Sequence, residues 1–166
     1  MRKLNFNSMK KQLFLFALLI TITGVCKAQS QPVLVNGKYV TQSGELFTGT
    51  ARLDAQESDG VTMQEIEVLD GQLHGSVRYF NQNSSLAELG HYSNGEKNGQ
   101  WLQYSPGGQL IGEAYYKNGL KDGIWTVWDE SGIKRYHMVY SSGKKVDTWK
   151  MWDEQANLVS ERIYKD

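Results

Sequence analysis

The sequence predicts an all-β fold: an elongated single-layer antiparallel sheet of tandem β-hairpins, about 24 residues per repeat, preceded by a cleaved signal peptide. Three observations predict it. Short motifs recur at a constant offset of 24 residues. Each recurrence opens on a dipeptide that hairpin turns favour. The runs between turns are rich in Tyr, Trp, Val and Ile, as strands prefer, and no segment after residue 28 carries a 3.6-residue apolar stripe.

The leader comes first. Arg2, Lys3, Lys10 and Lys11 precede the uncharged run LFLFALLITITGV at residues 13–25, and Cys26-Lys27-Ala28 follows. A basic start, a short apolar core and a small-x-Ala ending are the parts of a secretory signal peptide. The run is shorter than the ~20 residues that cross a bilayer. Residues 1–28 are therefore expected to be removed after Ala28, leaving an exported chain in the periplasm or outside the cell. Met9 opens MKKQLFLF, a second well-formed start. A lipoprotein site places an aliphatic residue three before its Cys and a small one directly before it. Thr23 and Val25 stand there, so the pattern favours Ala28 over lipidation at Cys26.

The remainder has the composition of one ordinary domain. The whole chain of 166 residues has no net charge. Five of its 18 Lys and Arg lie in residues 1–28 with no acidic residue, which leaves 13 basic and 18 acidic groups, a net of −5. The electrostatic attraction that drives nucleic-acid binding is then missing. Residues 29–166 hold no Cys, which excludes thiol catalysis and Cys-ligated zinc from the mature chain.

The repeat is read by columns. Asp70-Gly71, Asn94-Gly95, Asn118-Gly119 and Ser142-Gly143 open the units. Gly75, Gly99 and Gly123 follow, with Asp147 breaking that column. Then come Val77, Trp101, Trp125 and Trp149, and three residues later Phe80, Tyr104, Trp128 and Trp152. Leu86, Leu110, Lys134 and Leu158 form a further column, and Val68, Tyr92, Tyr116, Tyr140 and Tyr164 close the units. Units are expected at 70–93, 94–117, 118–141 and 142–166, after an N-terminal segment 29–44 and a degenerate first copy at about 45–69. In that copy Gly49-Thr50-Ala51-Arg52 resembles Gly75-Ser76-Val77-Arg78 at an offset of 26, with an insertion around Asp54–Gly60.

Each unit reads as strand, turn, strand, turn. A type I′ turn needs positive φ at both central residues, which Asn-Gly and Asp-Gly supply. The other turns are looser: QNSS at 82–85, SPGG at 105–108 and ESG at 130–132. In LIGEAYY, alternation directs Leu110, Gly112, Ala114 and Tyr116 one way and Ile111, Glu113 and Tyr115 the other. The spacing of three between Trp101 and Tyr104 puts their rings on opposite faces unless a bulge intervenes, and the sequence leaves that choice open. Columns at one period stack across strands into ladders of Trp and Tyr.

Chemical motifs are sparse. His74, His91 and His137 share no column and no metal-ligand spacing. Asp129-Glu130 and Asp153-Glu154 stand in corresponding loops, where charge usually serves a turn. No nucleophile motif, P-loop or dinucleotide fingerprint is present.

The columns NG…G-x-W-x-x-Y/W with a closing Tyr resemble MORN repeats, and most of all their bacterial variant, over about residues 45–166. The Tyr-x-Gly column of the familiar form is kept only in part, and Asp147 replaces a Gly. The resemblance implies successive hairpins in a single-layer sheet. It implies lipid association, scaffolding or protein binding, and some of the group carry an antitoxin label.

The expected function is therefore a non-catalytic interaction or scaffold module of the cell envelope, with a protein partner and no cofactor or metal. Lipid or glycan binding and an antitoxin role are the alternatives. The expected binding surface is the aromatic ladder of Trp101, Tyr104, Tyr116, Trp125, Trp128, Tyr140, Trp149 and Trp152, whose competing role is packing between repeats.

Overall fold

The computed structural model describes residues 31–58 and 60–165. The leader, Cys26 and the expected cleavage site lie outside the described residues. Among the described residues every regular element is a strand. β1 (Val33–Val35) and β2 (Lys38–Val40) form a separate hairpin. The main sheet holds β3 (Gly49–Ser58), β4 (Val61–Leu69), β5 (Gln72–Asn81), β6 (Leu86–Ser93), β7 (Glu96–Lys97), β8 (Gly99–Tyr104) and β9 (Leu110–Lys117). It continues through β10 (Leu120–Lys121), β11 (Gly123–Trp128), β12 (Lys134–Ser141), β13 (Lys144–Trp152) and β14 (Leu158–Tyr164). Spatial order follows chain order from β3 to β14, with the short β7 and β10 pairing with β6 and β9, and every pairing is antiparallel. The all-β single-sheet expectation is met.

Turn chemistry explains the regularity. Asp70, Asn94, Asn118 and Ser142 adopt φ of 49–51°, and the Gly after each lies at 74–84°. The N–H groups of Gly71, Gly95, Gly119 and Gly143 donate to the carbonyls of Phe47, Leu73, Lys97 and Lys121 at 2.8–2.9 Å. Each hairpin tip is thereby tied to the strand of the unit before it. The looser turns are equally regular. Ser84, Gly108, Gly132 and Ala156 all have positive φ, and their N–H groups donate to Asn81, Ser105, Asp129 and Asp153 carbonyls.

Four features differ from simple strand alternation or were unseen in the sequence. Gln103 pairs with Gly112 but Tyr104 pairs with Leu110, so Ile111 is an extra residue on β9. The same bulge recurs at Ala87, Arg135 and Val159. Leu110 consequently leaves the face of Gly112, Ala114 and Tyr116 and stands opposite Tyr104, which corrects the strict alternation. Asp147 breaks the Gly column in identity but not in shape, with φ 57° beside 105°, 78° and 109° for Gly75, Gly99 and Gly123. Asp visits the left-handed region more readily than bulkier residues. Asn36-Gly37 turns the β1–β2 hairpin at φ 50° and 75°, a dipeptide signal within the segment expected to be merely N-terminal.

The core sits at the N-terminal end. Phe47, Ala51, Ile66, Val68, Val77 and Trp101 are buried, with Tyr39, Leu73, Tyr79 and Tyr92 packed against them. The first hairpin is held there by Tyr39 N–H on the Gly71 carbonyl and Phe47 N–H on the Tyr39 carbonyl. Burial thins along the array, until β14 is exposed at every residue but Tyr164.

Candidate functional site: the aromatic spine and its lysines

Row by row, one face of the sheet is set by register. Gly99 stands opposite Tyr116, Gly123 opposite Tyr140 and Asp147 opposite Tyr164. Trp101 stands opposite Ala114, Trp125 opposite Met138 and Trp149 opposite Arg162. The result is one file of rings: Tyr92, Trp101, Tyr116, Trp125, Tyr140, Trp149, Tyr164. Neighbouring centroids lie 5.0–6.0 Å apart with planes inclined by 57–88°. Tilted and edge-to-face pairs at this distance contribute roughly 0.5–1.5 kcal/mol each beyond their area. The indole N–H groups of Trp125 and Trp149 donate to the Tyr115 and Val139 carbonyls at 3.1 and 3.0 Å. That of Trp101 is buried and has no partner.

Of the eight ladder residues expected from sequence, Trp101, Tyr116, Trp125, Tyr140 and Trp149 join this file. Tyr104, Trp128 and Trp152 do not. They lie three residues beyond a Trp, and the extra bulge residue is on the neighbouring strand, so their side chains turn to the other face. There Lys134, which pairs with Trp128, holds its ammonium 5.9 Å from the Trp152 ring centroid.

Three lysines complete the spine. Lys97, Lys121 and Lys145 stand two residues after successive turn glycines, at a spacing of 24. Their ammonium groups lie 3.6, 4.0 and 4.5 Å from the Trp101, Trp125 and Trp149 centroids. Each also approaches the next Tyr of the file, at 5.3, 5.0 and 5.6 Å. Sequence reasoning overlooked them, although their period was visible. Upstream the same place is held by Leu73 and Phe47, so the column changes from apolar to cationic at Lys97, over the buried ring of Trp101.

The charges differ along the file. Lys97 also pairs with Glu88 at 3.5 Å, so its cation is neutralised. Burial pushes the hydroxyls of Tyr39, Tyr79, Tyr92, Tyr116 and Tyr140 above their ordinary value; neighbouring tyrosines add to the shift at Tyr39, Tyr79, Tyr116 and Tyr140, whereas the Tyr79 hydrogen bond opposes it at Tyr92. On the other face Arg52 and Arg78 flank Glu65, and the Arg52 hydrogen bond holds that carboxyl below its ordinary range.

The carboxylates expected in loops are structural. Asp129 Oδ1 accepts from Ser131 and Ile133 N–H, and Asp153 Oδ1 from Gln155 and Asn157 N–H, all at 2.8–3.0 Å. His74 Nδ1 accepts from Asn94 N–H at 3.3 Å, bracing the next turn. Among the described residues no cluster of three metal-ligating side chains is present.

Residues 97–118 match the family model described as the MORN repeat variant. That window holds most of one period of the array, from Lys97 through Trp101, Tyr104 and Tyr116. No curated protein matches the chain.

Proposed function

We propose that this array, one period of which is a MORN repeat variant, is a non-catalytic interaction module that presents its sheet to a protein partner in the bacterial cell envelope. The supporting observation is the distribution of exposed apolar side chains. The rings of the aromatic file lie against one another, whereas Tyr136, Met151, Leu158, Val159 and Ile163 on the last three strands are 36–67% exposed. Tyr136 and Met151 are register partners on the spine face, while Leu158 and Ile163, opposite Trp152 and Thr148, lie on the other, so both faces of this end expose apolar surface of the kind that marks interaction sites. Export rests on the basic-apolar leader and small-x-Ala ending of residues 1–28.

Envelope lipid or glycan is the second reading, supported by the row of lysines above aromatic rings, a surface that suits anionic headgroups and sugars. An antitoxin role is carried by the family label alone, and finding the protein in the cytoplasm with residues 1–28 intact would favour it. The deciding experiment is capture from crosslinked envelope extract, run beside Met151→Ser and Ile163→Ser variants checked for folding. Enrichment of one polypeptide, reduced in the variants, supports the first reading. Enrichment of lipid or glycan alone supports the second, and no enrichment of any kind removes both.

A further inference from the structure

We propose that the spine face of β12–β14 is a docking groove for a partner segment that brings acidic and large apolar residues together. The proposal deepens the protein-binding reading and rests on it. A groove of about 250 Å³ opens there between Tyr136, Met138, Trp149, Met151, Arg162 and Tyr164. Tyr136 is 43% and Met151 36% exposed, so the lining is apolar and accessible. Methionine-rich linings adapt to varied side chains.

The cations are what select the occupant. Arg162 lines the groove 5.1 Å from the Tyr164 ring, and Lys145 lies 5.6 Å from the same ring, so two positive groups meet at Tyr164. Lys121 follows along the same face over Trp125 and Tyr140. Among the described residues, none of these three pairs with a carboxylate, unlike Lys97 with Glu88. Asp147 stands opposite Tyr164 in register, but its Oδ1 accepts the Thr148 N–H at 2.7 Å. The column that supplies Glu88 in the earlier unit supplies Gly112, Tyr136 and Ser160 in the later ones, which removes the internal counter-charge and adds apolar surface. Unpaired cations beside apolar rings favour a ligand that brings carboxylates and hydrophobic groups together.

Size and net charge narrow the class. The groove is smaller than the ~300–1,000 Å³ of sites that enclose whole small molecules, so it takes side chains of something lying across it. The chain as a whole carries no net positive charge, which disfavours a long polyanion such as nucleic acid. An acidic-apolar peptide segment meets both conditions.

The test is fluorescence anisotropy of the full chain with three dye-labelled peptides of mixed order: Glu-Phe, Lys-Phe and Glu-Ser. The Glu-Phe peptide should bind, weaken as salt rises, and lose roughly tenfold in affinity with Lys145→Glu/Arg162→Glu. The milder Lys145→Gln/Arg162→Gln variant, with an unchanged circular dichroism spectrum, should show the same direction. The Lys-Phe and Glu-Ser peptides should bind much more weakly. Equal binding of Glu-Phe and Lys-Phe, or unchanged Glu-Phe affinity in both variants, overturns the proposal. So does binding to phosphatidylglycerol vesicles with none to any peptide. Envelope capture of one polypeptide that survives the Gln variant leaves the protein-binding reading standing and removes only the groove.

Discussion

Gly90 and Trp101 are cross-strand neighbours on β6 and β8, next in register to the Leu89–Leu102 pair, and the indole lies directly against the glycine. A methyl group built at Gly90 collides with Trp101 Cδ2 and Cε2. The backbone there is ordinary, so the demand for Gly comes from packing, not from φ. Gly90→Ala should lower stability by about 1–3 kcal/mol through overpacking. A urea midpoint equal to that of the parent would show that the ring simply moves aside.

Ala156 occupies the left-handed position, φ 62°, that Gly108 and Gly132 hold in the preceding loops. That conformation costs an L-residue roughly 1–2 kcal/mol, and Gly gives back part of the gain through unfolded-chain entropy. Ala156→Gly should therefore stabilise the last loop by about 0.5–1 kcal/mol. Hydrogen exchange of β13 and β14 is the readout, and faster exchange in the variant would refute the assignment.

Lys121 should contribute about 0.5–1 kcal/mol through Trp125, the range for exposed cation–π contacts. Lys97 should couple more strongly to Trp101, because it lies closer to its ring, 3.6 Å against 4.0 Å. Double-mutant cycles with methionine at each lysine and leucine at each tryptophan isolate the coupling. Equal couplings at the two sites would contradict this ranking.

Alkaline pH should unfold the sheet. Burial raises Tyr39, Tyr79, Tyr92, Tyr116 and Tyr140 above 10.0 in the folded state. Each such group gives stability that is complete below about pH 10, the unfolded value, and is lost as pH rises towards the folded one. Ultraviolet titration should show these phenols ionising late and together with unfolding. Early, independent ionisation of all nine tyrosines would argue against burial as the cause.

Hydrogen exchange should be slowest in β4, β5 and β8 and fastest in β14. Ile66, Val77 and Trp101 are the most buried side chains at one end, and β14 has nearly none at the other. Nearest-neighbour arrays fray from their weaker end. Uniform protection would mean the sheet opens only as a whole.

Much of this fold was legible because its cause is local. Asn94-Gly95 and Asn118-Gly119 announce positive φ in two letters, and Trp101, Trp125 and Trp149 announce their stacking by position alone. The bulges at Ala87, Ile111, Arg135 and Val159 were not legible, since no residue type is common to the four and the register of the partner strand decides them. Because they fall on the neighbouring strands, the three-residue spacing within β8, β11 and β13 is left intact and keeps Tyr104, Trp128 and Trp152 off the spine. Lys97, Lys121 and Lys145 were legible by period but not by chemistry, because a lysine after a turn reads as solvated until a ring is seen beneath it. The Met138–Met151 groove depends on exposure, which sequence does not state.

The tie from each turn glycine to the preceding unit makes the sheet a ruler. Gly119 bonds to Lys97 as Gly95 bonds to Leu73, with the same two-residue offset past the earlier turn. Excising residues 94–117 would present Gly119 to the Leu73 carbonyl and Trp125 to the Gly90 strand, with both ends of the array intact. Each unit adds two strands, so one graduation is about 9.6 Å. A gene that slips by whole units can thus change the distance between the capped end and the exposed end in fixed steps, without redesigning either.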